Sequence, residues 1–430
     1  MTITFIGHGY VGLVTASIFA DLGNKVWVIG HTKEKIENLK KGIIPIYEPG
    51  LKEIVKRNIK AGRLLFTLEY DKAIPESSIV FIAVGTPTKE SGEADLSSVF
   101  EVAKKIAPKL SDYTIIVTKS TVPIGINQKV KEIIEKDKRE KVEFDVASVP
   151  EFLREGQAIS DTLHPDRVII GTESHRAEKL LVELHKPIDG HLVLADIRTA
   201  EMVKYAANAF LAAKISFANA IAQLSELTGS DALKVLKGIG YDKRIGSSFL
   251  SPGAGYGGSC LPKDIKAFLN IAKNFGYDFS LLKAVEKVNN QAINSIVNKT
   301  RKFLGKESVD KTVGVFGLSF KPDTDDMRDA PSIEIIKQLN KEGYKIKVYD
   351  PIAMENAKKI LEDVIFCSDV YEAAGGADVL LIITEWNEFK EVDLKRIKQL
   401  MKTPRIIDGR NIYDPQEVKS LGFEYLGVGR

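Results

Sequence analysis

The first twelve residues constrain the fold more than any other stretch of the chain. Residues 2–6 are β-branched or aromatic, which is typical of a buried strand, and they lead directly into Gly7, Gly9 and Gly12 with the spacing G-x-G-x-x-G. An apolar helical pattern follows. Strand, glycine turn and helix in this order form the dinucleotide-binding fingerprint, in which the pyrophosphate lies against the start of the helix. The pattern predicts a doubly wound α/β domain whose cofactor contacts are Gly7, Gly9, Tyr10, Val11 and Gly12.

The second strand, residues 25–30, ends without the acidic residue that hydrogen-bonds the adenosine ribose in enzymes that use NAD. Gly30 stands at that position, and His31, Thr32 and Lys33 follow it. No carboxylate is present to repel a 2′-phosphate, and these three side chains could bind one. The sequence therefore leaves NAD and NADP open. The alternative is that residues 30–33 only turn into a helix beginning at Glu34, with Thr32 as its N-cap.

Polar residues follow three further buried strands at the point where each strand ends. Residues 77–89 break at Gly85 and Thr86, residues 113–125 contain Thr121, and residues 144–150 run into Glu151. Ligands of open α/β sheets lie across the carboxyl ends of the strands, so we expect these side chains to contact cofactor or substrate. Either threonine could instead cap the helix that follows it. Glu151 is the first candidate catalytic carboxylate.

Residues 196–227 form one long helical pattern in which alanines recur on all sides. Such a helix packs closely against several neighbours, and its length predicts a connector between domains and the core of a homodimer. Lys204 and Asn208 lie four residues apart on this helix and share one face. On a largely apolar helix, these two side chains either reach outward to solvent or line a site.

A glycine-dense turn at residues 248–264 contains one cysteine. Cys260 is the candidate nucleophile, Lys263 supplies a positive charge that favours a thiolate, and Asp264 supplies a carboxylate that could hold or activate water. We expect the glycines from Gly253 to Gly258 to let the backbone approach a bulky polar ligand. A structural cysteine in a flexible loop is the alternative.

A second, smaller α/β unit begins near Lys311. Strand patterns at residues 346–351, 377–386 and 405–413 follow a glycine turn that lacks the full fingerprint, and a helical pattern starts near Pro331. The chain is therefore predicted to hold two doubly wound Rossmann-like domains joined by a long central helix. A nucleotide other than the redox cofactor suits the second unit, where Lys321, Arg328 and Arg410 offer positive charge. The predicted domains are residues 1–195, 196–300 and 301–430.

Composition argues against several classes of protein. A formal net charge of +3 over 430 residues gives no indication of a nucleic-acid-binding or membrane-binding surface. The two cysteines, Cys260 and Cys367, lack metal-type spacing, so we expect no metal site and a reducing compartment, the cytoplasm. No run approaches about 18 consecutive apolar residues, so we expect neither a membrane span nor a secretion signal.

Nine motifs taken together resemble one enzyme family. In chain order they are GHGYVG, VGTPT, KSTVP, PEFLREG, EMVKYAANAFLAAKISF, DKRIGSSFLSPGAGYGGSCLPKD, GLSFKPDTDDMRDAPS, TEW and DGRNIYDP. Along essentially its whole length the chain is similar to the UDP-glucose/GDP-mannose dehydrogenase family. The resemblance implies an oxidoreductase that converts the C6 alcohol of a nucleotide sugar to a carboxylate, through a thiohemiacetal and a thioester on Cys260. It consumes two nicotinamide cofactors and supplies a nucleotide uronate, such as UDP-glucuronate, for polysaccharide biosynthesis.

The resemblance also implies roles for individual residues. A water held by Asp264 and Lys204 accepts the hydroxyl proton, Lys204 and Asn208 stabilise negative charge on oxygen, and Glu151, with support from Thr121, positions the hydrolytic water. Glu155 and Arg328 match contacts to the cofactor. Matches to contacts with the nucleotide sugar, among which Arg244 is contributed across a dimer, are Phe152, Leu153, Arg154, Glu155, Lys204, Asn208, Arg244, Phe249, Leu250, Ser251, Gly253, Tyr256, Gly257, Lys321 and Arg410.

Two departures from the family pattern leave alternatives open. Gly30 replaces the ribose-binding acid, so NADP remains possible beside NAD. LPKD at residues 261–264, in place of FPKD, keeps GDP-mannose as a substrate, although the wider match favours UDP-glucose and ranks N-acetylated sugars third. A hydroxyacid dehydrogenase and a non-catalytic nucleotide-sugar sensor are the rival functions, and a cysteine nucleophile argues against both.

Overall fold

A computed structural model describes residues 1–305 and 310–430. These residues fall into two compact units by the density of contacts between them. The N-terminal unit comprises residues 1–207 and 266–275, and the C-terminal unit comprises residues 208–265 and 276–430. The three-segment division expected from the sequence stays a prediction.

The N-terminal unit is built on an eight-stranded sheet. Its strands are β1 (Thr2–Ile6), β2 (Lys25–Ile29), β3 (Leu64–Thr67), β4 (Ile79–Ile82), β5 (Thr114–Thr118), β6 (Phe144–Ser148), β7 (Arg167–Thr172) and β8 (His191–Ala195). They lie in the order β3-β2-β1-β4-β5-β6-β7-β8, and all neighbours are parallel except β6 and β7. Nearly continuous apolar strands suit a sheet covered by helices on both faces, and two separate apolar clusters pack against it.

The helices of this unit connect the strands in a doubly wound pattern. They are α1 (Tyr10–Asp21), α2 (Lys33–Lys40), α3 (Leu51–Lys60), α4 (Tyr70–Ala73), α5 (Ser97–Ile106), α6 (Ile126–Asp137), α7 (Ala158–Leu163) and α8 (His175–His185), with a 3₁₀ turn at Ala107–Lys109. The long helix α9 (Ile197–Thr228) begins in this unit and continues into the other, as predicted. Its 32 residues match the length expected from the sequence to within one residue at each end.

The C-terminal unit holds a six-stranded, fully parallel sheet. Its strands are β9 (Thr312–Phe316), β10 (Lys345–Tyr349), β11 (Val364–Phe366), β12 (Val379–Ile382), β13 (Arg405–Asp408) and β14 (Glu424–Leu426), in the order β11-β10-β9-β12-β13-β14. The remaining helices are α10 (Ala232–Gly240), α11 (Leu261–Asn274), α12 (Ser280–Leu304), α13 (Pro331–Lys341), α14 (Met354–Ala357), α15 (Val370–Ala374), α16 (Asn387–Lys390), α17 (Leu394–Leu400) and α18 (Pro415–Ser420). Most of α11 belongs to the N-terminal unit.

Two Rossmann-like sheets and a long central helix therefore confirm the predicted fold class. Among the described residues, no helix combines the length and the apolar character that crossing a bilayer requires.

Helix α9 is fixed to the N-terminal unit by one buried carboxylate. Glu201 accepts hydrogen bonds from the backbone N–H groups of Gly125 and Asn127 (2.6 and 3.1 Å) and from the Asn127 amide (2.8 Å). These donors lie at the start of α6, where backbone N–H groups have no partner within the helix. Burial raises the pKa of Glu201, although the same hydrogen bonds oppose the rise. Glu201 thus caps α6 from a distant part of the chain.

Candidate active site

The glycine turn of the N-terminal unit leaves space at the start of α1. Gly7 has φ +122°, and a Cβ there would lie 2.2 Å from the Ala83 carbonyl oxygen, while a Cβ on Gly12 would lie 2.2 Å from the Gly7 carbonyl oxygen. Gly9 is different, because no atom lies within 4 Å of its Cβ position. No side chain caps α1, and its first turn carries no acidic residue. The turn therefore fits a dinucleotide pyrophosphate approaching free backbone N–H groups.

The end of β2 carries no carboxylate. Gly30 follows the strand, His31 and Lys33 are exposed, and the Thr32 side chain makes no capping hydrogen bond at the start of α2. Helix α2 begins at Lys33, so Thr32 occupies the N-cap position without capping through its hydroxyl.

Glu48 ties the glycine turn to the segment after β6. Its carboxylate accepts the hydroxyl of Tyr10 and the backbone N–H groups of Gly156 (2.6 Å) and Ala158 (2.8 Å), and Gly156 also donates to the Tyr10 hydroxyl (2.7 Å). Tyr10, predicted as a cofactor contact, therefore also holds the segment that contains Glu155. Neither the role of Glu48 nor the long-range partner of Tyr10 was predicted.

Glu151 and Lys204 form a buried ion pair. Lys204 Nζ lies 2.9 Å from Glu151 Oε1, and the Leu153 backbone N–H donates to Glu151 Oε2 at 2.6 Å. Burial would raise the pKa of Glu151, but Lys204, the Leu153 N–H and Lys119 outweigh it and hold that pKa below its usual value. Glu151 is therefore a carboxylate at neutral pH, suited to orienting a water or a cation.

Lys119 is a third charged group in this cluster, and sequence reasoning missed it. Its ammonium donates to the Val149 carbonyl oxygen at 3.3 Å. Burial, opposed by Glu151 and assisted by Lys204, lowers the pKa of Lys119 to about 8. A cavity of about 50 Å³ adjoins Lys119, Glu151 and His185, which is enough for a water molecule. The sequence signal that could have identified Lys119 is its position directly after β5, two residues before Thr121.

The other predicted residues of the N-terminal unit make separate contacts. Thr86 donates its hydroxyl to the Thr121 carbonyl oxygen at 2.9 Å, which links the segments that follow β4 and β5. The ring of Phe152 lies beneath the Arg167 guanidinium (3.7 Å). Arg154 is paired with Asp161 at 2.6 Å on the surface, and Glu155 is buried.

Cys260 lies immediately before α11 in the C-terminal unit. Its carbonyl oxygen accepts the Asp264 backbone N–H at 2.9 Å, so the cysteine occupies the N-cap position. A helix N-terminus favours a thiolate, which adds a cause that we did not anticipate from the sequence. Asp264 is buried between two donors, the Asn208 amide (2.6 Å) and the Lys263 ammonium (2.6 Å). Neither Cys260 nor Cys367 is in a disulfide.

The glycines before Cys260 pack against the chain itself. A Cβ on Gly253 would lie 2.8 Å from the Gly409 carbonyl oxygen, one on Gly257 would lie 2.3 Å from the Asp329 carbonyl oxygen, and one on Gly258 would lie 2.7 Å from the Phe320 ring. The Ala254 N–H donates to the Gly409 oxygen, which fixes the loop beside Arg410. Close packing of the loop accounts for these glycines, and the expected approach of a ligand to the loop backbone stays a prediction.

The remaining predicted residues of the C-terminal unit fall into two groups. Arg410 donates to the Ile383 carbonyl oxygen (2.7 Å), and the Lys321 ammonium lies 5.8 Å from the Phe320 ring centroid. Both cations are therefore close to the glycine loop, since Gly253 packs against Arg410 and Gly258 packs against Phe320. Arg328 is paired with Asp326 (2.7 Å), and Arg244 is exposed and paired with Asp242 (2.6 Å). Of the loop residues, Phe249 has φ +63°, Leu250 and Tyr256 are buried, and Ser251 is exposed.

The described residues contain no cluster of three or more His, Cys, Asp or Glu side chains suited to a metal ion. The chemistry available is therefore that of a thiol at a helix N-terminus, a Glu–Lys pair, an Asp–Asn pair and a dinucleotide-binding turn. This combination defines a class, the dinucleotide-dependent dehydrogenases that carry a cysteine nucleophile.

Comparison with known proteins narrows that class. Three profiles of the UDP-glucose/GDP-mannose dehydrogenase family match the chain: the NAD-binding domain at residues 1–189, the central domain at 198–291 and the UDP-binding domain at 314–415. The chain belongs to this family.

Individual relatives are similar over the full length. The UDP-glucose 6-dehydrogenase TuaD of Bacillus subtilis is 47% identical over 429 residues, covering 100% of this chain and 93% of the relative. The UDP-glucose 6-dehydrogenase of Rhizobium meliloti is 46% identical, covering 100% of both. The structure of a UDP-glucose dehydrogenase from Pyrobaculum islandicum has a TM-score of 0.93 and 36% identity, covering 99% of this chain and 97% of that one. That of a GDP-mannose dehydrogenase from Pseudomonas aeruginosa has a TM-score of 0.56 and 30% identity, covering 100% of both chains.

Proposed function

We propose that the chain oxidises UDP-glucose to UDP-glucuronate in two steps with a nicotinamide cofactor. The observation that carries the proposal is Cys260 at the N-terminus of α11, four residues from the buried Asp264. A single alcohol oxidation needs no nucleophile, whereas oxidation of an aldehyde to an acid is made easier by a covalent thiohemiacetal. The similarity to UDP-glucose 6-dehydrogenases over the whole chain supports the choice of substrate.

The first oxidation removes a hydride from C6 and a proton from its hydroxyl, which leaves an aldehyde. Asp264 holds the water that takes the proton, because the Asn208 amide and the Lys263 ammonium keep its carboxylate oriented. Lys204 stabilises the negative charge that develops on the oxygen. When bound, the nicotinamide accepts the hydride in each oxidation, and the turn around Gly9 with the start of α1 holds its pyrophosphate.

The second oxidation proceeds on the cysteine. The Cys260 thiolate adds to the aldehyde carbon and forms a thiohemiacetal, and loss of a second hydride converts this adduct to a thioester. Water then attacks the thioester carbon, which releases the carboxylate and regenerates the thiol. Glu151, kept ionised by Lys204, orients that water, with Thr121 in support. The covalent bond retains the aldehyde between the two oxidations.

The residues that the family resemblance matches to nucleotide-sugar contacts lie in both units. In the N-terminal unit these are Phe152 to Glu155. In the C-terminal unit they are the loop from Phe249 to Gly257 with Lys321 and Arg410, whose charges suit a diphosphate. GDP-mannose is the second candidate, because LPKD replaces FPKD in the first turn of α11.

A homodimer is also part of the proposal. Phe210, Phe217, Leu224 and Leu227 are each at least half exposed on α9, and their spacing of seven, seven and three residues places them on one stripe. An apolar stripe of this kind is typical of a helix that packs against a second copy. Arg244, which is exposed and paired with the nearby Asp242, is the residue that we expect to act across the dimer. Phe217→Lys should shift the mass in solution toward a monomer.

A cytoplasmic location stays a prediction.

The test is the yield of reduced cofactor per mole of UDP-glucose, run to completion. We expect two equivalents, and Cys260→Ser should lower turnover by about 10³-fold or more. Cys367→Ser is the matched control and should retain full activity, because Cys367 is buried in the core of the C-terminal unit. Two equivalents with GDP-mannose alone would change the substrate, and no reduction with any nucleotide sugar would favour the sensor.

A further inference from the structure

The end of β2 is where a Rossmann fold distinguishes the two nicotinamide cofactors. An acidic side chain there accepts the ribose 2′-hydroxyl of NAD and repels the 2′-phosphate of NADP. In this chain that position is Gly30, and the packing shows why no side chain stands there. A Cβ on Gly30 would lie 2.6 Å from Ile36 Cδ1 and 3.0 Å from His8 Nδ1. Ile36, from α2, and His8, from the glycine turn, therefore together occupy the volume that an acidic residue would need.

His8 is an uncharged polar side chain beside that position. The residue is 5% exposed, and its Nδ1 has no hydrogen-bond partner among the described residues. Its ring lies 4.9 Å from the ring of His31. Burial, followed by the charges of His31 and Lys35, lowers the pKa of His8 to about 4, so the imidazole is neutral at physiological pH. A buried polar nitrogen without a partner is costly, which points to a ligand group that satisfies it.

The surrounding charges favour an anion. His31, Lys33 and Lys35 are exposed next to Gly30, and the backbone N–H groups at the start of α2 add a partial positive charge. Two carboxylates lie nearby: Glu34 in the first turn of α2, and Glu101, which interacts with His31 but is paired with Lys105 at 2.6 Å. Three basic side chains therefore face the solvent around a position from which the usual acid is missing.

We propose that this edge of the sheet binds the 2′-phosphate of NADP, and that the chain binds NADP in preference to NAD. His31 and Lys33 contact the phosphate, and His8 contacts the adenosine ribose. This inference rests on the proposed function only in assuming that a nicotinamide dinucleotide occupies the glycine turn.

The test uses two fragments that differ by this one phosphate. Isothermal titration of the full chain with 2′,5′-ADP and with 5′-AMP, which lacks only the 2′-phosphate, measures the contribution of that phosphate without any turnover. We expect 2′,5′-ADP to bind about tenfold more tightly or better, since hydrogen bonds between charged partners are strong. The double variant His31→Ala/Lys33→Ala should bring the two affinities within about threefold and leave that of 5′-AMP unchanged. Lys40→Ala, at the other end of α2, is the matched control and should keep the full difference.

Equal affinities in the wild-type chain, or tighter binding of 5′-AMP, would overturn the proposal. So would a double variant that keeps the full preference. Inorganic phosphate should compete with 2′,5′-ADP only at far higher concentration, and equal competition would show a nonspecific anion effect. Failure of the proposed function is a separate result: both fragments would bind as expected while no nucleotide sugar reduced either cofactor.

Discussion

The two units carry sheets with the same strand order through their first six strands, yet the second strand of each ends in a different way. Strand β2 is followed by Gly30, beneath the neutral His8. Strand β10 is followed by Asp350, the kind of residue that a dinucleotide-binding domain uses for its ribose. In sequence alone, the C-terminal unit therefore looks better suited to NAD at this position than the N-terminal unit does.

The structure reverses that impression, because Asp350 is already engaged. It is fully buried and accepts the backbone N–H groups of Leu318 (2.8 Å) and Ile352 (2.9 Å) and the Trp386 indole N–H (3.2 Å). The neighbouring N–H groups of Ser319 and Ala353 also donate to it. An acid at the end of the second strand thus indicates a ribose contact only where its hydrogen-bonding capacity is not used by the protein.

The glycine turns differ in the same sense. The first glycines, Gly7 and Gly317, are both closely packed, but two residues later Gly9 has open space beside it, whereas Ser319 is buried and donates its hydroxyl to Asp350 at 3.1 Å. One turn is open to a pyrophosphate, and the other is filled by its own unit. The C-terminal unit must therefore recognise a nucleotide by other means than the fingerprint.

The largest effect should follow from replacing Asp350. Asp350→Ala leaves several buried N–H groups without an acceptor, so we expect the C-terminal unit to lose about 4 kcal/mol of its free energy of unfolding. Hydrogen exchange measured by mass spectrometry separates the two units, and exchange should accelerate around residues 317–320 and 350–354. Glu355→Ala, on the surface, is the control. A loss below about 1 kcal/mol would show that water replaces the carboxylate without penalty.

Acid should weaken the N-terminal unit selectively through His185. All six histidines lie between residues 8 and 191. Burial lowers the pKa of His185 to about 4 from its ordinary 6.5. Below pH 6.5 His185 is protonated in the unfolded chain but stays neutral in the folded chain. The free energy of unfolding therefore falls by roughly 3 kcal/mol between pH 6.5 and 4. His185→Leu should remove this part of the pH dependence, measured as the difference in the free energy of unfolding between pH 7 and pH 5 by chemical denaturation.

Parallel pH profiles for the wild type and His185→Leu would refute that assignment. In the C-terminal unit burial raises the pKa of Asp408, so its titration acts in the opposite direction and favours folding as the pH falls.

The openness of the N-terminal turn can be tested with one methyl group. Gly9 has φ −78° and ψ −171°, which alanine adopts without strain, so Gly9→Ala should fold normally. Its Cβ would enter the space where the pyrophosphate approaches, and we expect about a tenfold loss of ADP affinity by titration calorimetry. Gly238→Ala, which also faces open space but lies in α10, should leave that affinity unchanged. Unaltered binding by Gly9→Ala would place the nucleotide elsewhere.

The smallest effect concerns helix capping. In the C-terminal unit α15, α17 and α18 are capped by their own Asp369, Asp393 and Asp414, whereas α6 is capped by Glu201 from α9. Glu201→Gln should keep the shape and lose part of the cap, at a cost of about 1 kcal/mol. Exchange of the amides in residues 125–129 is the measurement. Protection equal to the wild type would show that the charge of Glu201 contributes nothing.

Local sequence patterns predicted the strands and helices well, because hydrophobic periodicity and glycine turns can be recognised within ten or twenty consecutive residues. Strand β1, strand β2 and helix α9 lie within a residue or two of the predicted ranges. Single residues with distant partners could not be predicted in this way. Asp350 carries the same sequence signal as a ribose-binding acid, and only the position of Leu318 and Trp386 shows its actual use.

The candidate site divides along the same line. Residue type and context suggested Cys260, Asp264 and Glu151, and the structure pairs Glu151 with Lys204 and Asp264 with Asn208. Their joint chemical roles stay predictions. Lys119 and Glu48 were missed because their significance comes from burial and from contacts that close only in three dimensions.

The composition of the N-terminal unit from two separate stretches, 1–207 and 266–275, has a consequence for biosynthesis. At roughly 5–20 residues per second, the ribosome releases part of the C-terminal unit before the last stretch of the N-terminal unit exists. Tyr205 is almost fully buried, and its ring lies 5.5 Å from that of Phe268. This contact cannot form until residues 266–275 have been synthesised. Folding of the two units is therefore interleaved in time, and a fragment cut at residue 207 would lack part of the surface that the finished unit buries.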